Sequence, residues 1–461
     1  MFEDPLILND IEERFNRKKI DDSALEDIFD GKIYKQYSKD PNLLGNPFNF
    51  SYTFNTDGCQ SSDKSKVTIW PIYMMIHELP DNLRKRCMPL AGLWIPKQEP
   101  NMKIFLQPFV DKSNELSTKG FTWKYYTNYV TSKLFPLGCC VDSPARSSVL
   151  NMKRFNGFYG CTYCEHPTTL IECVRKYPML SDPPSLRTHN RIIQCMIEAS
   201  NNNGYDVMGV WGPSPLMYLK HFDLVKGMVL DFMHSCLLGV TELYTKILMS
   251  NSKDDYYIGS PSNTLLINER LLSIKPPSCV ANMPRDINER NQWNASQWFS
   301  WLFFYSLICY RGMLPSKYYD HWALLVSAMH IFLEDSITPK MLQEAGISIV
   351  KFVYYFEKLY GEHYMHYNVH LLLHFKDTVE NWGPLWANNT FAFENQNRLL
   401  LKNKKCDNRI AQHIVYRLLI YQQLPLLERQ NYISSNTRNM CYNLHNKNRL
   451  KKFEILKNVI Y

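Results

Sequence analysis

Two short motifs, roughly two hundred residues apart, restrict this chain more than any other feature of its sequence. NGFYGCTYCEHP carries Cys161 and Cys164, and NVHLLLHF carries His370 and His374. A C-x-x-C turn brings two thiolates together, and an H-x-x-x-H helix sets two imidazoles one turn apart on the same face. Together the halves complete a tetrahedral Cys2His2 zinc site. Each half alone is a weak sign of metal, so their pairing is a statement about the fold. If they meet, zinc staples the start of the intervening stretch to the segment that follows it.

At 461 residues the chain is too long for one simple core, which predicts two domains or one core with a large insertion. Aromatic residues make up 14% of the sequence, enough to line wide buried surfaces. The formal net charge of +8 permits a polyanionic partner without requiring one. Thirteen cysteines, no secretory signal in MFEDPLILND and no apolar run of about eighteen residues predict a reducing, intracellular setting with no membrane span. Most of the cysteines then serve as small core residues.

Residues 1–40 are polar and mix both charges, as a helical lead-in or an arm would. Three short apolar runs follow, FNFSYTFNTDG, VTIWPIYMMIHELP and RKRCMPLAGLWIP, each ended by Gly or Pro as strands are. MKIFLQPFVDKSNELS reads as a helix, and SKLFPLGCCVDSPA as a fourth strand. The span 41–165 is therefore the first part of a core. From 166 to 365, patterns such as ASQWFSWLFFYSLICYRGML between Pro-rich joints predict a mostly helical insertion. Residues 366–425 return to helices that close the core, and 426–461 form a basic helical tail.

Asp57 ends the first strand and Asp142 the fourth, while Glu394 sits in FAFENQNRLL among apolar residues. Three carboxylates so placed can hold two divalent ions and support phosphodiester chemistry. Taken singly, an Asp before Gly is also a turn residue and a helical Glu also a solvated one. In LDFMHSCLLGV, Asp231 and His234 at i and i+3 can share a helix face, as a ligand pair, as a His oriented by a carboxylate, or as a buried polar pair inside the helical insertion. Arg285 and Arg290 lie near Trp293, Trp298 and Trp301, which read either as a phosphate-contacting, base-stacking surface or as a buried helix face. Arg146, Arg398 and Lys402 are further candidates for contacts to a DNA backbone.

NTDG, VDSPAR, NGFYGCTYC, LDFMHSCLLGV, NVHLLLH and FAFEN occur in that order. The series resembles the transposase domain of the CACTA (En/Spm) DNA transposons in its animal-genome form, over about residues 30 to 425. The resemblance implies an α/β fold: a ribonuclease-H-like mixed sheet of DDE type, interrupted by a helical insertion before the Glu helix. It implies catalysis by Asp57, Asp142 and Glu394 with two Mg2+ or Mn2+ ions, and a structural Zn2+ on Cys161, Cys164, His370 and His374. It further implies hydrolysis at transposon ends, transfer of the 3′ hydroxyl to target DNA, and a nuclear location. Double-stranded DNA is the expected partner, with a homo-oligomer and a separate end-binding protein as further partners. A catalytically inactive descendant that only binds DNA or chromatin is the alternative.

Overall fold

The computed structural model of the chain describes residues 5–60, 68–95, 99–277, 280, 283–402, 410–429, 434–437 and 439–440. The basic tail expected over 426–461 lies largely outside these residues. The strands are β1 (Phe50–Thr56), β2 (Cys59–Gln60), β3 (Thr68–Ile76), β4 (Leu90–Trp94), β5 (Phe121–Tyr125), β6 (Asn128–Ser132), β7 (Leu134–Cys140), β8 (Thr169–Ile171), β9 (Val174–Lys176) and β10 (Met228–Val229). Six of them form one mixed sheet in the order β10-β7-β1-β3-β2, with β4 also paired to β3. Strands β1, β7 and β10 run parallel, β3 is antiparallel to β1, and β4 is antiparallel to β3.

Every residue of β1 and β7 is buried, because both faces of the sheet are covered. That is why these strands read as continuous apolar runs rather than as an alternation. On one face, Phe50, Tyr52, Phe54 and Cys139 join a core that includes α4 (Met102–Thr118); Phe109 of α4 packs its ring 4.9 Å from that of Phe54. On the other, Tyr73, Phe135, Leu137 and Val229 meet Trp382 and Phe393. Gly138 in β7 is required there: a Cβ would lie 2.6 Å from both Thr53 Oγ1 and the Trp382 ring.

The polar lead-in is not a free arm. Helix α1 (Pro5–Asn16) buries Ile7, Leu8 and Ile11, and Arg14 donates to the carbonyls of Asn49 and Pro47 at 3.0 and 2.8 Å. Helix α2 (Lys32–Ser38) and the short α3 (Asp81–Arg84) flank the sheet, where buried Arg84 pairs with Asp27 at 2.8 Å. Helix α5 (Ser143–Val149) follows β7, and α6 (His189–Ser200) precedes β10.

Strand β10 lies inside the 166–365 span, so that span shares the sheet before it turns helical. A π-helical segment, Met233–Thr241, then leads into α7 (Glu242–Leu248), α8 (Pro261–Ser273), α9 (Ala295–Ser300), α10 (Ser306–Tyr310), α11 (Ser316–Phe332) and α12 (Pro339–Tyr360). Their core is aromatic. Trp293, Trp298 and Trp301 are buried, and Tyr244 stacks on Trp322 with ring centroids 4.1 Å apart. The tryptophans therefore form a buried helix face, not a base-stacking surface. The chain closes with α13 (Tyr367–Leu371), α14 (Phe375–Trp382), α15 (Thr390–Lys402) and α16 (Ile410–Arg429).

Candidate active site and metal centre

Parallel pairing decides where the acidic residues fall. Phe54 is in register with Cys139, so continuing both strands brings Asp57 beside Asp142. Val229 is in register with Cys140, which brings Asp231 to the same edge on the next strand. Three neighbouring parallel strands thus each end in an aspartate. Asn55 Nδ2 ties two of these ends by donating to the Cys140 carbonyl at 2.7 Å.

Local structure fixes each carboxylate. Asp57 Oδ1 accepts from the Gly58 amide at 2.7 Å, and a Cβ on Gly58 would strike the Trp70 ring at 2.7 Å, so the Asp-Gly pair is the residue choice this tight strand end needs. Asp142 caps α5, accepting from Ala145 N at 2.7 Å. Glu394 is half-buried in α15, between buried Phe393 and exposed Asn395.

The charges confirm that these groups share one neighbourhood. Burial, then the negative charges of Asp142 and Glu394, push the Asp57 carboxyl up to about 7. Burial, with Asp231 and Asp142, also raises Glu394, and His234 partly offsets this. Among the described residues, however, only the cysteine–histidine quartet brings three or more ligand atoms within 4.8 Å of one another. The acidic group is wider than a site closed around a single ion.

Asp231 lies just before the helix rather than on its face, yet it orients His234 as their spacing allows. It sits between β10 and the π-helical segment, almost fully buried, and acts as a hub. Its Oδ2 accepts from His234 Nδ1 at 2.7 Å and from His234 N at 2.9 Å, while Oδ1 accepts from Thr390 N at 3.2 Å. One carboxylate therefore orients the imidazole and anchors the first turn of the Glu394 helix. Burial alone would lower the His234 imidazole, but its bond to Asp231 and the charges of Asp231, Asp142 and Glu394 outweigh burial and lift it to about 9. In a histidine NMR titration, His234 is expected to lose its proton near pH 9, and Asp231→Asn to bring it back towards the ordinary imidazole range. A His234 titration unmoved by the substitution would contradict this account.

The split motif closes. Cys161 Sγ lies 3.6 Å from His374 Nε2, Cys164 Sγ 3.3 Å from His370 Nε2, and the two Nε2 atoms 3.4 Å apart. A tetrahedral zinc with Zn–S of about 2.3 Å and Zn–N of about 2.0 Å implies separations of about 3.5 Å and about 3.3 Å. All four residues are buried, and the quartet fits a structural zinc. Burial raises both thiols, but the imidazoles and the Cys164 S–H hold Cys161 well below the usual thiol value. Arg187 braces the turn, donating through Nε to the carbonyls of Cys161 and Cys164 at 2.9 and 3.1 Å.

The basic candidates divide. Arg146 is buried, its guanidinium bonded to the hydroxyls of Tyr163, Tyr367 and Ser143, so it braces α5 against the zinc turn and faces no DNA. Arg285 is paired with Glu289 at 2.5 Å, and Arg290 donates to the Ile287 carbonyl at 3.1 Å. Arg398 and Lys402 are exposed on α15, one and two turns beyond Glu394. Among the described residues no helix is long and apolar enough to cross a membrane. Comparison with protein-family models and with curated proteins gave no match to this chain.

Proposed function

We propose that this protein is a metal-dependent DNA-cleaving and strand-transferring enzyme of the DDE type, akin to the CACTA transposases its motifs resemble. The observation that carries the proposal is the gathering of Asp57 and Asp142 at neighbouring parallel strand ends, where burial first, and then the charges of Asp142 and Glu394, push the Asp57 carboxyl up to about 7. Gathering buried negative charge in this way opposes folding and is characteristic of functional sites that hold cations. The sheet supports the same reading. Its order β4-β3-β1-β7-β10, with β3 alone reversed among the parallel β1, β7 and β10 and with β4 on its far side, is the order expected if the sheet is ribonuclease-H-like.

Asp57, Asp142 and Glu394 would hold the Mg2+ or Mn2+ ions. Such ions supply a deprotonated nucleophile and neutralise the leaving oxygen. The chain itself holds Asp57 and Asp142 by backbone amides and presents Arg398 and Lys402, one and two turns beyond Glu394, for the phosphate backbone. In the first reaction water attacks phosphorus and the P–O3′ bond breaks, leaving a 3′ hydroxyl. In the second that hydroxyl attacks a phosphodiester of target DNA and displaces its 3′ oxygen. On this reading chromosomal DNA is the substrate and the nucleus the proposed location.

Incubation of purified protein with supercoiled plasmid tests the proposal. Nicking is expected with Mg2+ or Mn2+, none in EDTA, and none with Asp142→Asn. Nicking that persists in that variant, or no nicking by folded, zinc-loaded protein, would overturn the enzymatic reading; in the second case DNA binding without cutting would be the role left.

A further inference from the structure

A cavity of about 260 Å³ opens directly beside Asp142 and His234. Its other walls come from the two segments that the zinc quartet joins. Phe155 and Asn156 precede Cys161, Arg175 lies on β9 beyond Cys164, and Asn368 immediately precedes the helix turn that carries His370. The Phe155 ring stacks on Tyr367, with centroids 5.7 Å apart and planes at 18°, and remains 39% exposed. Phe155 is thus supported by Tyr367 on one side while part of it stays exposed. Tyr177 links this wall to the metal centre: its hydroxyl donates to the Phe155 carbonyl at 2.6 Å, and its ring stacks on His370 with centroids 5.0 Å apart. Arg175 lies over Phe158 at 5.1 Å.

We propose that this cavity takes one nucleotide of the strand being cut, its base laid on the exposed part of Phe155 and its phosphate towards Arg175. The inference rests on the proposed function, since a cutting site built around Asp142 would place a phosphodiester at the mouth of the cavity. An aromatic platform beside a cation is the usual recognition of an unstacked base and its backbone, and it is indifferent to sequence because every base has a π face. The volume suits a single base rather than a pair. Asn156 and Asn368 supply amide groups at the rim, where base edges can be hydrogen-bonded. The zinc quartet then has a second consequence besides stability, because it sets the distance between the Phe155 wall and the Asn368 wall.

The test uses a short single-stranded oligodeoxynucleotide containing iodouracil, with Ca2+ present so that binding is read without cleavage. Irradiation is expected to crosslink the base to Phe155, as mapped by mass spectrometry. Phe155→Ala is expected to weaken binding of the single strand about tenfold while changing affinity for the same sequence as a blunt duplex by less than about twofold. Phe155→Trp, which keeps a platform, should retain affinity and shows that the site tolerates replacement. Crosslinks mapping elsewhere, unchanged affinity in Phe155→Ala, or equal loss for single strand and duplex would each overturn the inference. The plasmid assay separates the two ideas: nicking without the Phe155 effect removes only the pocket, and the Phe155 effect without nicking removes only the cutting.

Discussion

Asp57→Asn is expected to melt at a higher temperature than the natural protein at pH 8 in EDTA, and to lose metal-dependent nicking by about a thousandfold or more. The two effects have one cause. The Asp57 carboxyl is held at about 7 by burial and by Asp142 and Glu394, against an ordinary value of 3.8. The folded state therefore binds the proton more tightly than the unfolded state, and stability falls as pH rises from about 4 to about 7. An asparagine cannot ionise, so it escapes this penalty. A tenfold difference in proton affinity corresponds to about 1.4 kcal/mol, and the gain at pH 8 should be on the order of 1–3 kcal/mol. Near pH 4 the advantage should vanish, since both chains then carry a neutral group at position 57. Mg2+ should stabilise the natural protein and do little for the variant. Equal melting curves at pH 8 would mean that the three carboxylates are not crowded in solution, and the proposed site would lose its foundation.

The second large effect concerns zinc. Purified protein is expected to contain one zinc per chain by elemental analysis, and Cys161→Ser to lose both the metal and the cooperative fold. The quartet joins positions separated by 213 residues for Cys161 and His374, and by 206 for Cys164 and His370. Structural zinc contributes on the order of 10 kcal/mol in small domains, comparable with the whole stability of about 5–15 kcal/mol of a typical protein. The loss is compounded because four buried polar side chains would be left without their common partner. Near-ultraviolet circular dichroism with a chelator titration would measure it. A cooperative melt that survives complete removal of zinc would show that the quartet is held by packing alone.

Much of the sheet was legible because buried parallel strands leave a local mark: short apolar runs ended by Gly or Pro. Asp57 and Asp142 could be placed at strand ends on that evidence, and Glu394 could be set apart by its apolar flanks. Strand β10 could not be seen, because two residues carry no periodicity and LDFMHSCLLGV reads as one helix. The role of Asp231 was hidden with it, since that role depends on a bond to Thr390, far along the chain. The β5–β6 hairpin was missed because it is polar and largely exposed, so neither alternation nor an apolar run marks it. Arg146 was misplaced for the opposite reason. Its charge suggested a surface, whereas Tyr163 and Tyr367, which surround it, are brought there only by the tertiary fold. The cysteine–histidine quartet lies between these cases: both halves were local motifs, and only their meeting required three dimensions.

The helical excursion between the π-helical segment and the histidines is pinned on both sides. Asp231 fastens its entrance to Thr390, and the zinc turn is fastened to the helix at its exit. The entropy of closing such a loop grows only with the logarithm of its length. With its ends fixed, the length of the excursion adds little closure entropy, and its aromatic core has mainly to offset the ordering of its own residues. The acidic edge is thus held at two points that do not depend on the length of chain between them.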